Sequence, residues 1–423
     1  MDRIIVRGGN RLEGSVRASG SKNATLALMA AALLTDDEVV LRNVPRVRDV
    51  ATMRQILAAL GVPSDWEPDD EHALRIAGRG DRGRPIHPEA PYDLVRQMRA
   101  SFLVLGPLLA RCGIGRVSEP GGCAIGVRPV DQHLKGLEAL GAKIRLDHGY
   151  VEATASHLEG ARVNFDITTV NGTQNVMMAA TLARGRTEIE NAAREPEVTE
   201  LATVLNAMGA DVRGAGSDHI EIDGVASLHG TEHDVWADRI EVGTLLAAGM
   251  ITGGSVSVTG VAPALLDATL EKLRETGAGI DVQADAVTVR AGGRGHGVKA
   301  VTAPYPGFPT DMQAQLMAVL ALADGSSTIT ETVFENRFMH VPELVRLGAD
   351  ITVDGRTAHV RGVGALSGAP VMATDLRASA GLLLAGLAAD GETVVNRVYH
   401  IDRGYERIEE KLRRLGADIR REG

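Results

Sequence analysis

At 423 residues, 44% hydrophobic and 24% charged, the chain is long enough for two or three globular domains and too apolar for disorder. Net charge is -10 and aromatic residues make up 3%, which excludes a generally basic surface or rows of base-stacking platforms, so nucleic acid is not an expected partner. The two cysteines, Cys112 and Cys123, form no disulfide framework and suit a reducing compartment.

The opening MDRIIVRGGNRLEG carries charge among its first seven residues and no apolar run of the secretory type, which predicts a cytoplasmic protein. Further on, a helix ending followed by a strand recurs as LAALGV, LEALGAKI, LNAMGADV, LRETGAGI, LVRLGADI and LRRLGADI, with glycines at 61, 141, 209, 277, 348 and 416. The spacings of 80, 68, 68, 71 and 68 residues describe six units, each with an amphipathic helix stopped at a left-handed glycine before an alternating strand. A second series interleaves: an almost wholly apolar helix, a short polar turn and a β-rich stretch, as in TLARGRTEIENAA and GLAADGETVVNRVY. Helices apolar all round belong in the middle of a domain, and those with a polar face nearer its outside. The longest apolar run, ASAGLLLAGLAA, is well short of the roughly 20 residues that cross a bilayer, so no membrane contact is expected.

Six segments precede the apolar helices: SGSKNA, VRQMRAS, TTVNGTQN, DRIEVGT, FPTDMQAQ and TDLRASA. Each reads as a helix start, where unpaired N–H groups and about half a positive charge attract phosphate or carboxylate. Plain capping by Ser, Thr and Asp is the equal alternative. Lys22 stands in the first segment without a Walker loop around it. Arg99, Arg128, Arg337, Arg377 and Arg403 all fall at loops or helix starts, where guanidinium forks could bind polyanionic substrates or form surface ion pairs. Asp311 and Asp375 occupy equivalent T-D positions, as proton acceptor among arginines or as caps. In SEPGGCAIGVRPVDQH, Gly121 and Gly122 open the backbone beside Cys123, and Arg128 could favour its thiolate; the residue is a nucleophile, a proton donor or an incidental surface thiol. Cys112 reads as helix-end packing. His133, His340 and His400 have no metal-ligand spacing, so neither a metal nor another cofactor is expected.

With SGSKNA, PYDLVRQMRAS, PGGCAIGVRPVDQH, NAAREPEVT, FPTDMQAQ, TVFENRFMHVPEL, MATDLRAS and YHIDRGYERIEEKL in order, the chain resembles the UDP-N-acetylglucosamine enolpyruvyl transferases over essentially its whole length. That resemblance implies an α/β fold of two inside-out barrel domains of three repeats each. It implies a first domain over 22–236 and a second made of 1–21 with 237–423, the active site in a cleft between them and a hinge at the two chain crossings. The implied reaction moves enolpyruvate from phosphoenolpyruvate to the 3-hydroxyl of UDP-N-acetylglucosamine with loss of phosphate, the first committed step of peptidoglycan synthesis. Cys123 is then the acid, with an adduct to phosphoenolpyruvate as a second implied role, and Asp311 the base. Lys22, Arg128 and Arg403 hold the donor, with Arg337 and Arg377 contributing, and Asn23 touches both substrates. Arg99, Arg128, Pro129, Val130, Asp131, Gln132, Thr168, Thr169 and Val170 grip the uridine diphosphate; Asp311 and Val333 meet the sugar, Phe334 closes over it, and Asp375 belongs to the substrate-binding set. Ile167 and Asn171 depart from frequent family residues and put one diphosphate contact in doubt. The retained thiol implies inactivation by the epoxide antibiotic fosfomycin. The nearest competitors are 5-enolpyruvylshikimate-3-phosphate synthase, which lacks the cysteine loop, and a non-catalytic sugar-nucleotide sensor. No obligatory protein partner is expected.

Overall fold

The recurrent glycines set the local architecture. In this computed structural model, which describes residues 2–78, 86–119 and 130–423, Gly61, Gly141, Gly209, Gly277, Gly348 and Gly416 all have φ between 87° and 103°. An L side chain there would press its Cβ on the carbonyl oxygen, so glycine is required. Each glycine closes an outer helix: Arg48–Ala59, Asp131–Ala139, Pro196–Ala207, Asp267–Glu275, Val341–Arg346 and Ile408–Arg414. The amide after the glycine bonds back to a leucine carbonyl every time, from Val62 to Leu57 at 2.8 Å through to Ala417 to Leu412 at 3.0 Å. This is the 6→1 bond of a Schellman ending, and it turns the chain into the next strand.

Among the described residues there are six four-stranded sheets of one design. One edge pair is parallel and the next two pairs are antiparallel, as in Arg162–Asn164, Arg186–Glu190, His219–Asp223 and Asp211–Arg213. The six apolar helices, Lys22–Ala31, Leu105–Cys112, Val170–Ala180, Arg239–Ile251, Gln313–Leu320 and Leu376–Ala388, are buried over nearly their whole circumference. They are therefore central, as their all-round hydrophobicity predicts. Neighbouring central helices approach closely where glycine removes a side chain: a Cβ on Gly381 would lie 2.8 Å from the Ala314 carbonyl oxygen, and one on Gly106 would lie 2.4 Å from that of Asn175.

The chain divides into two compact units, one of residues 2–19 with 237–423 and one of the described residues between 20 and 236. Each has its own apolar core, three central helices and three of the six sheets. In the first, the N-terminal strand Arg3–Arg7 inserts antiparallel between Glu392–Asn396 and Asp418–Glu422, and Glu13–Arg17 adds parallel to Ser255–Thr259. In the second, Thr231–Asp234 returns to pair parallel with Val39–Arg42. Three repeats per unit, helices inside and sheets outside, is the α/β architecture expected from the sequence. Among the described residues, no helix is long and apolar enough to cross a membrane.

Candidate active-site residues

In the 20–236 unit, two of the three central helices begin on neutral hydroxyls. Ser21 caps Lys22–Ala31 by accepting from Ala24 N, and Thr169 caps Val170–Ala180 by accepting from Gly172 N at 3.3 Å. Neither helix has an acidic residue in its first turn. Lys22 is 8% exposed, and its Nζ lies 3.3 Å from Oδ2 of Asp49, itself 2% exposed. Asn23 beside it is half-buried. Arg99, half-buried, opens the 3-10 turn Arg99–Val104, which packs against both capped helices and leads into Leu105–Cys112. Thr168 is exposed, with its hydroxyl donating to Asn191 Oδ1 at 2.7 Å, and Val170 is the first helical residue. Exposed Asp131 starts an outer helix capped by Val130. Gln132 is buried, donating to Asp131 at 2.9 Å and Asp166 at 3.3 Å while accepting from the Asp166 amide. Cys123, Arg128 and Pro129 lie outside the described residues. Cys112 ends its helix, and burial pushes its thiol up, away from the reactive thiolate.

The 237–423 unit is built with charge. Asp238 caps Arg239–Ile251 through Ile240 N and Glu241 N, and Asp375 caps Leu376–Ala388 through Arg377 N and Ala378 N. Asp311 looks like Asp375 in sequence but caps nothing. It lies in the 3-10 turn Thr310–Met312, where Arg337 Nη2 donates to it at 2.9 Å and Arg377 Nε at 3.3 Å. The two arginines are 5% and 3% exposed, whereas the Asp311 side chain keeps 28% of its surface open. Arg377 also lies 3.7 Å from Asp238, so one guanidinium ties together the starts of three central helices. A carboxylate supported from behind by two buried guanidiniums and open in front can receive a proton from a ligand hydroxyl.

Around this junction, buried Glu331 fixes the segment that carries Val333 and Phe334, accepting from their amides at 2.8 Å and 3.1 Å and from the hydroxyls of Thr302 and Thr310. The Phe334 ring lies 5.3 Å from the Arg337 guanidinium carbon. Arg403, half-buried, ends the 3-10 helix Val398–Arg403, which packs on Leu376–Ala388. His340 is fully buried, and its protonation is pushed down to about 4, first by burial and then by Arg337, with Asp375 opposing. No group of three or more His, Cys, Asp or Glu among the described residues could hold a metal ion.

Sequence reasoning missed Asp49, Glu331, Tyr405 and the pairing role of Asp238. Asp238 and Tyr405 stand inside quoted motifs, DRIEVGT and YHIDRGYERIEEKL; nothing local marks Asp49 or Glu331.

Residues 6–412 match the family described as EPSP synthase (3-phosphoshikimate 1-carboxyvinyltransferase). The chain belongs to that family. Among relatives of this family member, the UDP-N-acetylglucosamine 1-carboxyvinyltransferase of Myxococcus xanthus is 59% identical over 422 residues, covering 100% of both chains. The solved enolpyruvyl transferase NikO from Streptomyces tendae superposes with a TM-score of 0.88 at 30% identity, covering 99% of this chain and 98% of its own. An EPSP synthase from Acinetobacter baumannii, at 18% identity, TM-score 0.76 and 100% coverage of both, shares the fold. As a member of the enolpyruvyl transferase family the chain is an enzyme, a 1-carboxyvinyl transferase.

Proposed function

We propose that the chain transfers enolpyruvate from phosphoenolpyruvate to the 3-hydroxyl of UDP-N-acetylglucosamine and releases phosphate, serving peptidoglycan synthesis in the cytoplasm. The observation that carries this reading is full-length identity of 56–59% to four relatives named for that activity. The open face of Asp311 between two buried arginines supports the chemistry assigned to it. In this reading the domains are 22–236 and 1–21 with 237–423.

The thiol of Cys123 gives its proton to C3 of phosphoenolpyruvate as the 3-hydroxyl oxygen bonds to C2, and the hydroxyl proton passes to the Asp311 carboxylate. In the resulting tetrahedral ketal the C2–O bond to phosphate then breaks, the phosphate leaves with the electron pair and takes the proton held by Asp311, and C3 returns a proton to the Cys123 thiolate to restore the double bond. Lys22, Arg128, Arg403, Arg337 and Arg377 balance charge on the donor and the departing phosphate. Asn23, Arg99, Pro129, Val130, Asp131, Gln132, Thr168, Thr169, Val170, Val333, Phe334 and Asp375 complete the proposed substrate contacts. The helix starts at Lys22 and Thr169, with hydroxyl caps and no acid in their first turns, suit anionic groups.

A phosphate-release assay tests the reading. Phosphoenolpyruvate with UDP-N-acetylglucosamine gives turnover, and with 3-phosphoshikimate none; Cys123→Ser loses the activity while Cys112→Ser keeps it. In the same preparations, fosfomycin adds its mass to the peptide holding Cys123. Turnover with 3-phosphoshikimate alone, or a Cys123→Ser variant as active as wild type, would overturn it.

A further inference from the structure

The junction at Asp311 depends on where Arg377 points, and a flexible arginine needs more than one carboxylate to fix it. Its guanidinium has Asp311 at 3.3 Å and Asp238 at 3.7 Å on its edges. Its face is covered by the ring of Tyr405, whose centroid is 5.1 Å from the guanidinium carbon, within cation–π range. Tyr405 is 2% exposed. The residue before it, Gly404, lets the chain lie against the first residue of the Arg377 helix, for a Cβ there would meet Leu376 Cδ2 at 2.8 Å.

The Tyr405 hydroxyl is shared by the other two central helices of the unit. Its oxygen is 3.0 Å from Thr244 Oγ1 in Arg239–Ile251 and 3.1 Å from Gln315 Nε2 in Gln313–Leu320. Gln315 Nε2 also reaches Thr244 Oγ1 at 3.1 Å. Counting donors fixes the direction of these bonds. Thr244 has one hydroxyl proton and gives it to the Ile240 carbonyl at 2.7 Å, so its oxygen accepts from the Tyr405 O–H. The Gln315 amide then donates to the Tyr405 oxygen. Burial pushes the Tyr405 phenol up, which keeps the proton this arrangement requires. The hydroxyl is thus locked by two of the three helices whose starts carry Asp238, Asp311 and Arg377, and the ring lies against the guanidinium of the third.

We propose that Tyr405 is a positioning residue that holds the Arg377 guanidinium edge-on to Asp311, and through it the carboxylate that takes the acceptor's proton. The kinetic consequence rests on the function proposed above; the placement of Arg377 does not. In the full chain, Tyr405→Leu removes the ring face and Tyr405→Phe keeps the ring but frees its hydroxyl lock. Phosphate release from phosphoenolpyruvate and UDP-N-acetylglucosamine shows kcat lowered by about 10- to 100-fold in Tyr405→Leu and by less in Tyr405→Phe, with the acceptor KM changed less than about threefold. In an Arg377→Lys background, Tyr405→Leu adds less than about threefold, because the group it positions is gone. Equal losses in both backgrounds mark a merely structural tyrosine and overturn the proposal. A crystal structure of Tyr405→Leu, or of Tyr405→Phe if the leucine variant does not fold, shows Arg377 Nε withdrawn from Asp311; an unmoved guanidinium also overturns it. Should the wild type release no phosphate with this acceptor, the functional reading falls while the crystal structure still decides the role of Tyr405.

Discussion

The two units solve one problem in opposite ways. In both, three buried helices begin at segments whose sequence reads as helix starts able to attract phosphate or carboxylate, and one of the three begins through a 3-10 turn, at Arg99 in one unit and Asp311 in the other. The 20–236 unit caps its remaining two starts with Ser21 and Thr169 and places no acidic residue in either first turn. The 237–423 unit caps with Asp238 and Asp375, adds Glu241 in a first turn, and sets buried Arg337 and Arg377 against the carboxylates. Neutral caps leave an electrostatic vacancy for a ligand's charge. Carboxylate caps fill it and free a guanidinium pair to hold one further carboxylate, Asp311, in place. The first arrangement suits binding and the second suits moving a proton.

The largest test of that division is Asp311→Asn, which keeps the shape and removes the base. Steady-state phosphate release should show kcat reduced by about 10²- to 10⁴-fold, the usual share of a positioned acid or base. A loss below about tenfold would mean that the carboxylate-rich end also serves only to bind. Next comes the pair of buried histidines. His133, in the 20–236 unit, lies 3.0 Å from the Asn175 amide and edge-on to Phe102, whereas His340 is fully buried with the Arg337 backbone and the Asp375 carboxylate acting on its ring. Burial lowers the His340 value to about 4, below its ordinary 6.5 in an unfolded chain. The folded value is depressed, so the stability of the neutral buried ring is present above about pH 6.5 and lost as pH falls towards about 4. Denaturant midpoints across that window should fall in the wild type and fall less in His340→Phe. Parallel profiles would assign the acid sensitivity to other groups.

How far the sequence discloses this depends on the range over which each feature is determined. The six helix endings are legible because a left-handed glycine and the leucine five residues before the following amide form a purely local motif. Apolar helices read as central because their periodicity leaves no polar face. Capping is partly legible: Ser21, Thr169, Asp238 and Asp375 do cap, but the same T-D pair at 310–311 does not. What separates Asp311 from Asp375 is the arrival of Arg337 and Arg377 from 26 and 66 residues away. No window of local sequence contains that information. The Lys22–Asp49 pair, 27 residues apart and buried, is hidden for the same reason. Glu331 is harder still, since four separate donors from three segments define it.

The finest test exchanges the capping chemistry itself. Thr169→Asp keeps a competent cap, since aspartate and threonine both accept from the N2 or N3 amide, and it favours the helix dipole by about 0.3–1 kcal/mol. Thermal stability should therefore hold or rise slightly. The added carboxylate, however, stands at the helix start proposed to receive the diphosphate, where Thr168 and Val170 flank it. Like charges there should raise the KM for UDP-N-acetylglucosamine by about tenfold at low salt, with the effect shrinking as salt screens the repulsion. The KM for phosphoenolpyruvate and the kcat should move much less, because the proton-transfer machinery is assigned to other residues. If the variant melts higher and binds the acceptor as well as wild type, the neutral cap at Thr169 is incidental. The contrast between a unit that leaves its helix ends open and one that neutralises them would then be a matter of packing rather than of ligand charge.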